Sequence, residues 1–171
     1  PCDTIAAVSQ AHQLKQNKQG AQPVRSLVVD DDSTLLKYVA RILTMLEFRD
    51  VETAQKKPEV MKKLAAGPYD LLITDLEMPD MNGYHLSQTI KKETHDTRVI
   101  IMTGRHKDEC LEMMTSRWVD GWLFKPFGLK ELRTMLQWLG LKRIDAPVDR
   151  PRQVPAIDYG QATSQGENEN K

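Results

Sequence analysis

Asp30, Asp31, Asp75, Thr103 and Lys125 stand at the ends of four short apolar runs: Leu27-Val28-Val29, Leu71-Leu72-Ile73, Val99-Ile100-Ile101-Met102 and Trp122-Leu123-Phe124. A lone aspartate in such a place is most simply a helix cap or a solvated strand end. The set is different in kind. Three carboxylates on one rim repel one another, and without a counter-charge at least one is driven to hold a proton. A divalent cation removes that conflict, and all-oxygen donors suit Mg2+ or Mn2+ with waters left in the shell. Such a cation beside a lysine ammonium and a hydroxyl stabilises a phosphoryl group in transfer. One carboxylate can itself attack, giving an aspartyl phosphate.

These residues meet only if the runs that carry them are parallel strands ending on one side of a sheet. The chain has that grammar. Each of these runs is continuously apolar, as a strand buried on both faces requires, and a helical pattern follows each one. After Val29, Ser33 or Thr34 is placed to cap a helix with Leu35, Val39, Ile42 and Leu46 at helical spacing. A weaker strand lies around Val51 to Ala54. Pro58 then opens a short helix carrying Val60 and Leu64, which Gly67-Pro68 stops. Beyond Asp75, Pro79 and Asn82-Gly83 mark a loop before a helix with Leu86 and Ile90. Further helices run over Lys107 to Ser116, with Cys110, Leu111 and Met114, and over Leu129 to Leu139, closed by Gly140. Five β-α units predict an α/β fold, a doubly wound five-stranded parallel sheet with helices on both faces.

The 171 residues suit one domain with tails, here a polar N-terminal arm (1–24), a folded unit (25–142) and a disordered C-terminal tail (143–171). Lysines plus arginines balance aspartates plus glutamates, 24 against 24, so global charge points to neither nucleic acid nor membrane. Cys2 and Cys110 lack metal-ligand spacing and read as free thiols of a reducing, cytoplasmic setting. No run approaches the ~20 apolar residues of a membrane span.

Taken together, Val28-Val29-Asp30-Asp31, Ile73-Thr74-Asp75-Leu76-Glu77-Met78-Pro79 with Gly83, Met102-Thr103-Gly104 and Lys125-Pro126-Phe127 resemble the receiver domain of two-component response regulators, over about residues 25 to 140. The resemblance implies a flavodoxin-like, CheY-like (βα)5 sheet of strand order 2-1-3-4-5. It implies Asp75 as phosphoacceptor, Asp31 as direct Mg2+ ligand with Asp75, Asp30 as holder of metal-bound water, and Glu77 as metal ligand through its backbone carbonyl. Thr103 resembles the switch hydroxyl, Lys125 the cation that pairs with the phosphoryl group, and Trp122 the switching aromatic, with core packing as its alternative role. A cis bond between Lys125 and Pro126 is implied as well. The partners implied are a histidine kinase or histidine phosphotransfer protein, and a downstream protein bound through the fourth helix, fifth strand and fifth helix. Homodimerisation on phosphorylation is left open.

The chain departs from the family pattern in two places. Asn82 replaces a usual aspartate and still suits a helix cap. Arg117-Trp118-Val119 replaces a small, glycine-containing turn, so Trp118 either packs into the interior and reshapes that turn or stands exposed as a partner contact, with buried packing favoured. Asp32 reads as a helix-start residue favoured by the dipole. Asp30 and Asp32 also fit the first motif of haloacid-dehalogenase-like phosphohydrolases, but no acidic pair follows Lys125 at a strand end. A receiver fragment of a hybrid kinase is a further alternative. His12, His85, His95 and His106 have no ligand spacing, and Lys91-Lys92 reads as a solvated face.

Overall fold

The computed structural model describes residues 24–94, 96–141 and 156–157. In chain order they form β1 (Arg25–Val29), α1 (Ser33–Met45), β2 (Asp50–Ala54), α2 (Lys57–Ala65) and β3 (Leu71–Asp75), then a two-stranded hairpin of β4 (Glu77–Met78) and β5 (Met81–Asn82). These are followed by α3 (Gly83–Glu93), β6 (Arg98–Thr103), a 3-10 turn (Lys107–Cys110), α4 (Leu111–Met114), β7 (Gly121–Phe124), α5 (Leu129–Trp138) and β8 (Ala156–Ile157). The main sheet is parallel throughout, in the order β2-β1-β3-β6-β7-β8. Its first five strands have the expected flavodoxin-like order. The outermost strand was not expected: Ala156–Ile157 lie within the span read as a disordered tail. The remainder of that tail, and the arm before residue 24, lie outside the described residues.

β3 shows why a continuous apolar run was required. Leu71 and Ile73 point into a core shared with Val39 and Leu43 of α1 and with Leu132, Met135 and Leu136 of α5. Leu72 points the other way, into a core shared with Val60, Leu86 and Ile90 of α2 and α3. Each fully buried aliphatic side chain contributes roughly 1.5–3 kcal/mol of transfer free energy. A third cluster around Trp122 joins Leu76, Ile101, Cys110, Val119 and Phe124 beneath α4.

Several local expectations are revised. The cap of α1 is Asp32, whose carboxylate accepts the Thr34 N–H at 2.7 Å, in place of Ser33 or Thr34. Leu36 and Leu43 join Val39 and Ile42 in the core, while Leu35 is only half-buried. The first half of the helix after β6, Lys107–Cys110, is a 3-10 turn, and Leu111 projects to solvent. Lys91 is no solvated residue. It is buried, with Nζ 2.6 Å from Asp120 Oδ2, and Asp120 also takes the Val99 N–H at 2.8 Å and pairs with Arg98. Trp118 is half-buried against the Trp122 cluster, with the Arg117 guanidinium 4.4 Å from its ring centroid. Its turn needs no glycine, because among the described residues positive φ occurs only at Glu47, Gly67 and Gly140. His85 and His106 are exposed; His12 and His95 lie outside the described residues.

Candidate functional site

Strand register brings the predicted residues to one rim. Val29 lies opposite Thr74, Asp75 opposite Met102, and Thr103 opposite Phe124. Asp30, Asp75, Thr103 and Lys125 therefore all emerge at the carboxyl ends of neighbouring strands, where open α/β sheets bind ligands. The loop after β3 is pulled in tightly: the Gly83 N–H donates to the Leu76 carbonyl at 2.9 Å, and a Cβ on Gly83 would come within 2.0 Å of the Asp75 carbonyl oxygen. Asn82 caps α3, accepting the Tyr84 and His85 N–H groups at 3.0 and 3.2 Å, so the Asp-to-Asn departure costs no cap.

At the centre stands Lys125. Its ammonium donates to Asp75 Oδ1 and lies 3.2 Å from Asp30 Oδ2. The peptide bond from Lys125 to Pro126 is cis, as the resemblance implied. Asp75 Oδ2 takes the Glu77 N–H at 2.9 Å, and Asp30 Oδ1 takes the Asp32 N–H at 2.8 Å. Burial pushes the Asp30 carboxyl above its ordinary value, against the Asp32 N–H and the Lys125 charge, which act to lower it. Burial also works to lower Lys125, but the Asp75 hydrogen bond and both carboxylates prevail and hold the ammonium above its ordinary value. One half-buried cation thus answers for two carboxylates.

Asp31 is exposed, and none of the described residues engages its carboxylate. Among the described residues no group of three or more His, Cys, Asp or Glu side chains is arranged to hold a metal ion. The structure accordingly does not gather Asp30, Asp31 and Asp75 into a carboxylate cage; it gathers Asp30 and Asp75 on Lys125. The donors that the resemblance names for a cation, the Asp31 and Asp75 carboxylates and the Glu77 backbone carbonyl, are all oxygens. That set fits Mg2+, which is held by one or two carboxylates and keeps several waters.

Thr103 is buried, and its Oγ1 accepts the Arg105 N–H at 3.0 Å. Arg105 was not singled out from the sequence. Its guanidinium pairs with the Glu77 carboxylate, which falls below its usual range as a result. Glu77 and Arg105 each lie two residues beyond a site residue, Asp75 and Thr103, but only their contact in space marks them as a pair. Trp122 is fully buried, and its indole N–H has no partner among the described residues. Asp32 Oδ1 is engaged in capping α1.

Residues 26–137 match the model of the response regulator receiver domain. The chain is 33% identical over 131 residues to the probable transcriptional regulator ycf27 of Cyanidium caldarium, covering 75% of this chain and 51% of that protein. It is 34% identical over 111 residues to the DNA-binding transcriptional regulator NtrC of Azospirillum brasilense, covering 65% of this chain and 23% of that protein. It therefore spans about half, and about a quarter, of the length of these two curated relatives. Among solved structures it resembles the response regulator TrrA of Thermotoga maritima in complex with Mg2+-BeF, at TM-score 0.59 and 30% identity, covering 67% of this chain and 97% of that one.

Proposed function

Because the chain belongs to the family of response regulator receiver domains of two-component systems, we propose that it is switched by transfer of a phosphoryl group to Asp75 from a histidine kinase or histidine phosphotransfer protein. The observation that carries this reading is the Lys125 ammonium seated on the carboxylates of Asp30 and Asp75 at the strand rim. An Asp75 oxygen attacks phosphorus, the bond from phosphorus to the donor's imidazole nitrogen breaks, and that nitrogen takes up a proton. Lys125, already in contact with Asp75, turns to an oxygen of the new phosphoryl group. Thr103 exchanges its bond from the Arg105 N–H for one it donates to the same group. Asp31, Asp75 and the Glu77 carbonyl would hold Mg2+, with Asp30 holding its water; the cation supplies charge neutralisation for the transferring group. Water later attacks phosphorus and resets Asp75. The protein is a signalling switch that catalyses only its own phosphorylation and dephosphorylation.

The readout is a population shift of Thr103 and the Trp122 cluster, passed to a protein partner on the face made by α4, β7 and α5. No described helix is long and apolar enough to cross a membrane, and a cytoplasmic setting is part of this reading. The even charge of the chain argues against direct nucleic-acid binding by the receiver itself. The two longer relatives are named as transcriptional regulators, which favours, as a second reading, a receiver that works within a longer DNA-binding protein. The test is intact mass after incubation with acetyl phosphate and Mg2+. A labile adduct on the native chain that is absent from Asp75→Asn supports the proposal; an adduct that persists in Asp75→Asn would place the acceptor elsewhere.

A further inference from the structure

In a five-stranded receiver sheet β7 is an edge, and an edge strand leaves a row of backbone N–H and C=O groups open to any extended segment. Here that row is covered. β8 lies parallel beside β7, with Ala156 opposite Trp122 and Ile157 opposite Leu123. All four residues of β7 are buried. The covered strand is the one that presents Lys125 just beyond its end.

The cover is short. It is two residues long, and so short a strand pairing contributes little by itself. Fourteen residues, 142–155, join it to Leu141, far more than the about 2–6 of an ordinary helix-to-strand connection. Pro155 precedes β8 in sequence and has no N–H to extend the ladder on that side.

We propose that the outer edge of β7 is a docking site for an extended segment, and that Ala156–Ile157 of this chain is its occupant in cis. This docking stands independently of phosphoryl transfer, so it is tested without a phosphodonor.

The test is residue-resolved amide hydrogen exchange on the full chain and on Ala156→Pro and Ile157→Pro. Successive residues of a parallel strand turn their N–H groups to opposite sides, so one of the two positions faces β7 and the other faces away, where proline is tolerated. One of the two variants is expected to speed exchange in Gly121–Phe124 about tenfold or more, with β1 and β3 unchanged. A synthetic peptide of residues 153–160 added in trans is expected to restore the protection. Unchanged exchange in both variants would overturn the proposal, as would loss of protection that spreads to β1 and β3. Protection of β7 that rises with protein concentration would assign the strand to a second copy and overturn the cis assignment.

Discussion

Lys125 reaches over β6 to donate a hydrogen bond to Asp75, joining the ends of two strands that are not neighbours in the sheet. Its ammonium also lies 3.2 Å from Asp30, so one cation holds two carboxylates that would otherwise repel. Replacing it separates charge compensation from metal binding. Lys125→Ala is expected to retain or tighten Mg2+ binding, since the competing cation is gone. In the absence of Mg2+ it should cost roughly 1–3 kcal/mol of stability, the usual loss when a charged partner is removed from a buried hydrogen bond. It should also uncouple phosphorylation from the change at Trp122, read as intrinsic fluorescence. Calorimetric titration with Mg2+ checks the first point; a collapse of affinity would make Lys125 part of the metal site.

Asp30 carries the opposite sign. Burial raises its folded-state pKa above the unfolded value, so the native state binds the proton more readily and ionised Asp30 opposes folding. That penalty is absent below the ordinary carboxylate range and develops as pH rises through the folded-state value. Asp30→Asn is therefore expected to raise Tm at pH 7, with a gain that shrinks as pH falls toward about 3.9, because Asn still accepts the Asp32 N–H. Thermal scans across pH 3–8 read the effect, and a gain that grew on acidification would refute it. The Lys125 contribution runs the other way along the scale. It is present below the ordinary lysine value of about 10.4 and is lost as pH rises through the higher folded-state value.

How much of this was legible follows from the kind of signal each residue sends. Asp30, Asp75, Thr103 and Lys125 announce themselves because each ends an apolar run, and parallel topology alone carries them to one rim. The phase of α1 was ambiguous because Leu35 and Leu36 are adjacent; only packing against the sheet selects Leu36. Lys91 looked solvated because a charge on a helix reads as surface until its partner, Asp120, is seen across the fold. Arg105 lies in a polar loop without period, so only its spatial contact with Glu77 reveals it. β8 is too short for any pattern to mark it. Long-range pairs and two-residue strands are set by tertiary geometry, which local sequence does not encode.

Gly83 tests the loop that holds Asp75. A methyl group there meets backbone, the Asp75 carbonyl oxygen at 2.0 Å, and no side-chain rotation relieves it. Gly83→Ala is expected to cost at least about 1–3 kcal/mol and to slow phosphorylation by displacing Asp75. Urea titration and the rate of adduct formation measure the two. A variant as stable and as reactive as the native chain would show that the loop relaxes freely.

The pair between Glu77 and Arg105 gives a prediction about lifetime. The Glu77 N–H holds Asp75, and the Arg105 N–H holds Thr103; the side-chain pair ties these two loops across the mouth of the site. Both side chains are substantially exposed, so their attraction adds little to global stability and is screened by salt. Glu77→Gln and Arg105→Ala are accordingly expected to leave Tm unchanged. The effect belongs on the phosphorylated state, where a looser mouth admits water to phosphorus and shortens the life of the aspartyl phosphate several-fold. If the pair acts as a unit, the double variant loses phosphate no faster than either single one, since one interaction cannot be removed twice. Raising salt should shorten the lifetime in the native chain and leave the variants alone. Decay of the acyl-phosphate mass adduct, followed in all four proteins at low and high salt, decides it: rates that multiply in the double variant, or a salt effect that persists without the pair, would mean that Glu77 and Arg105 act separately on the site.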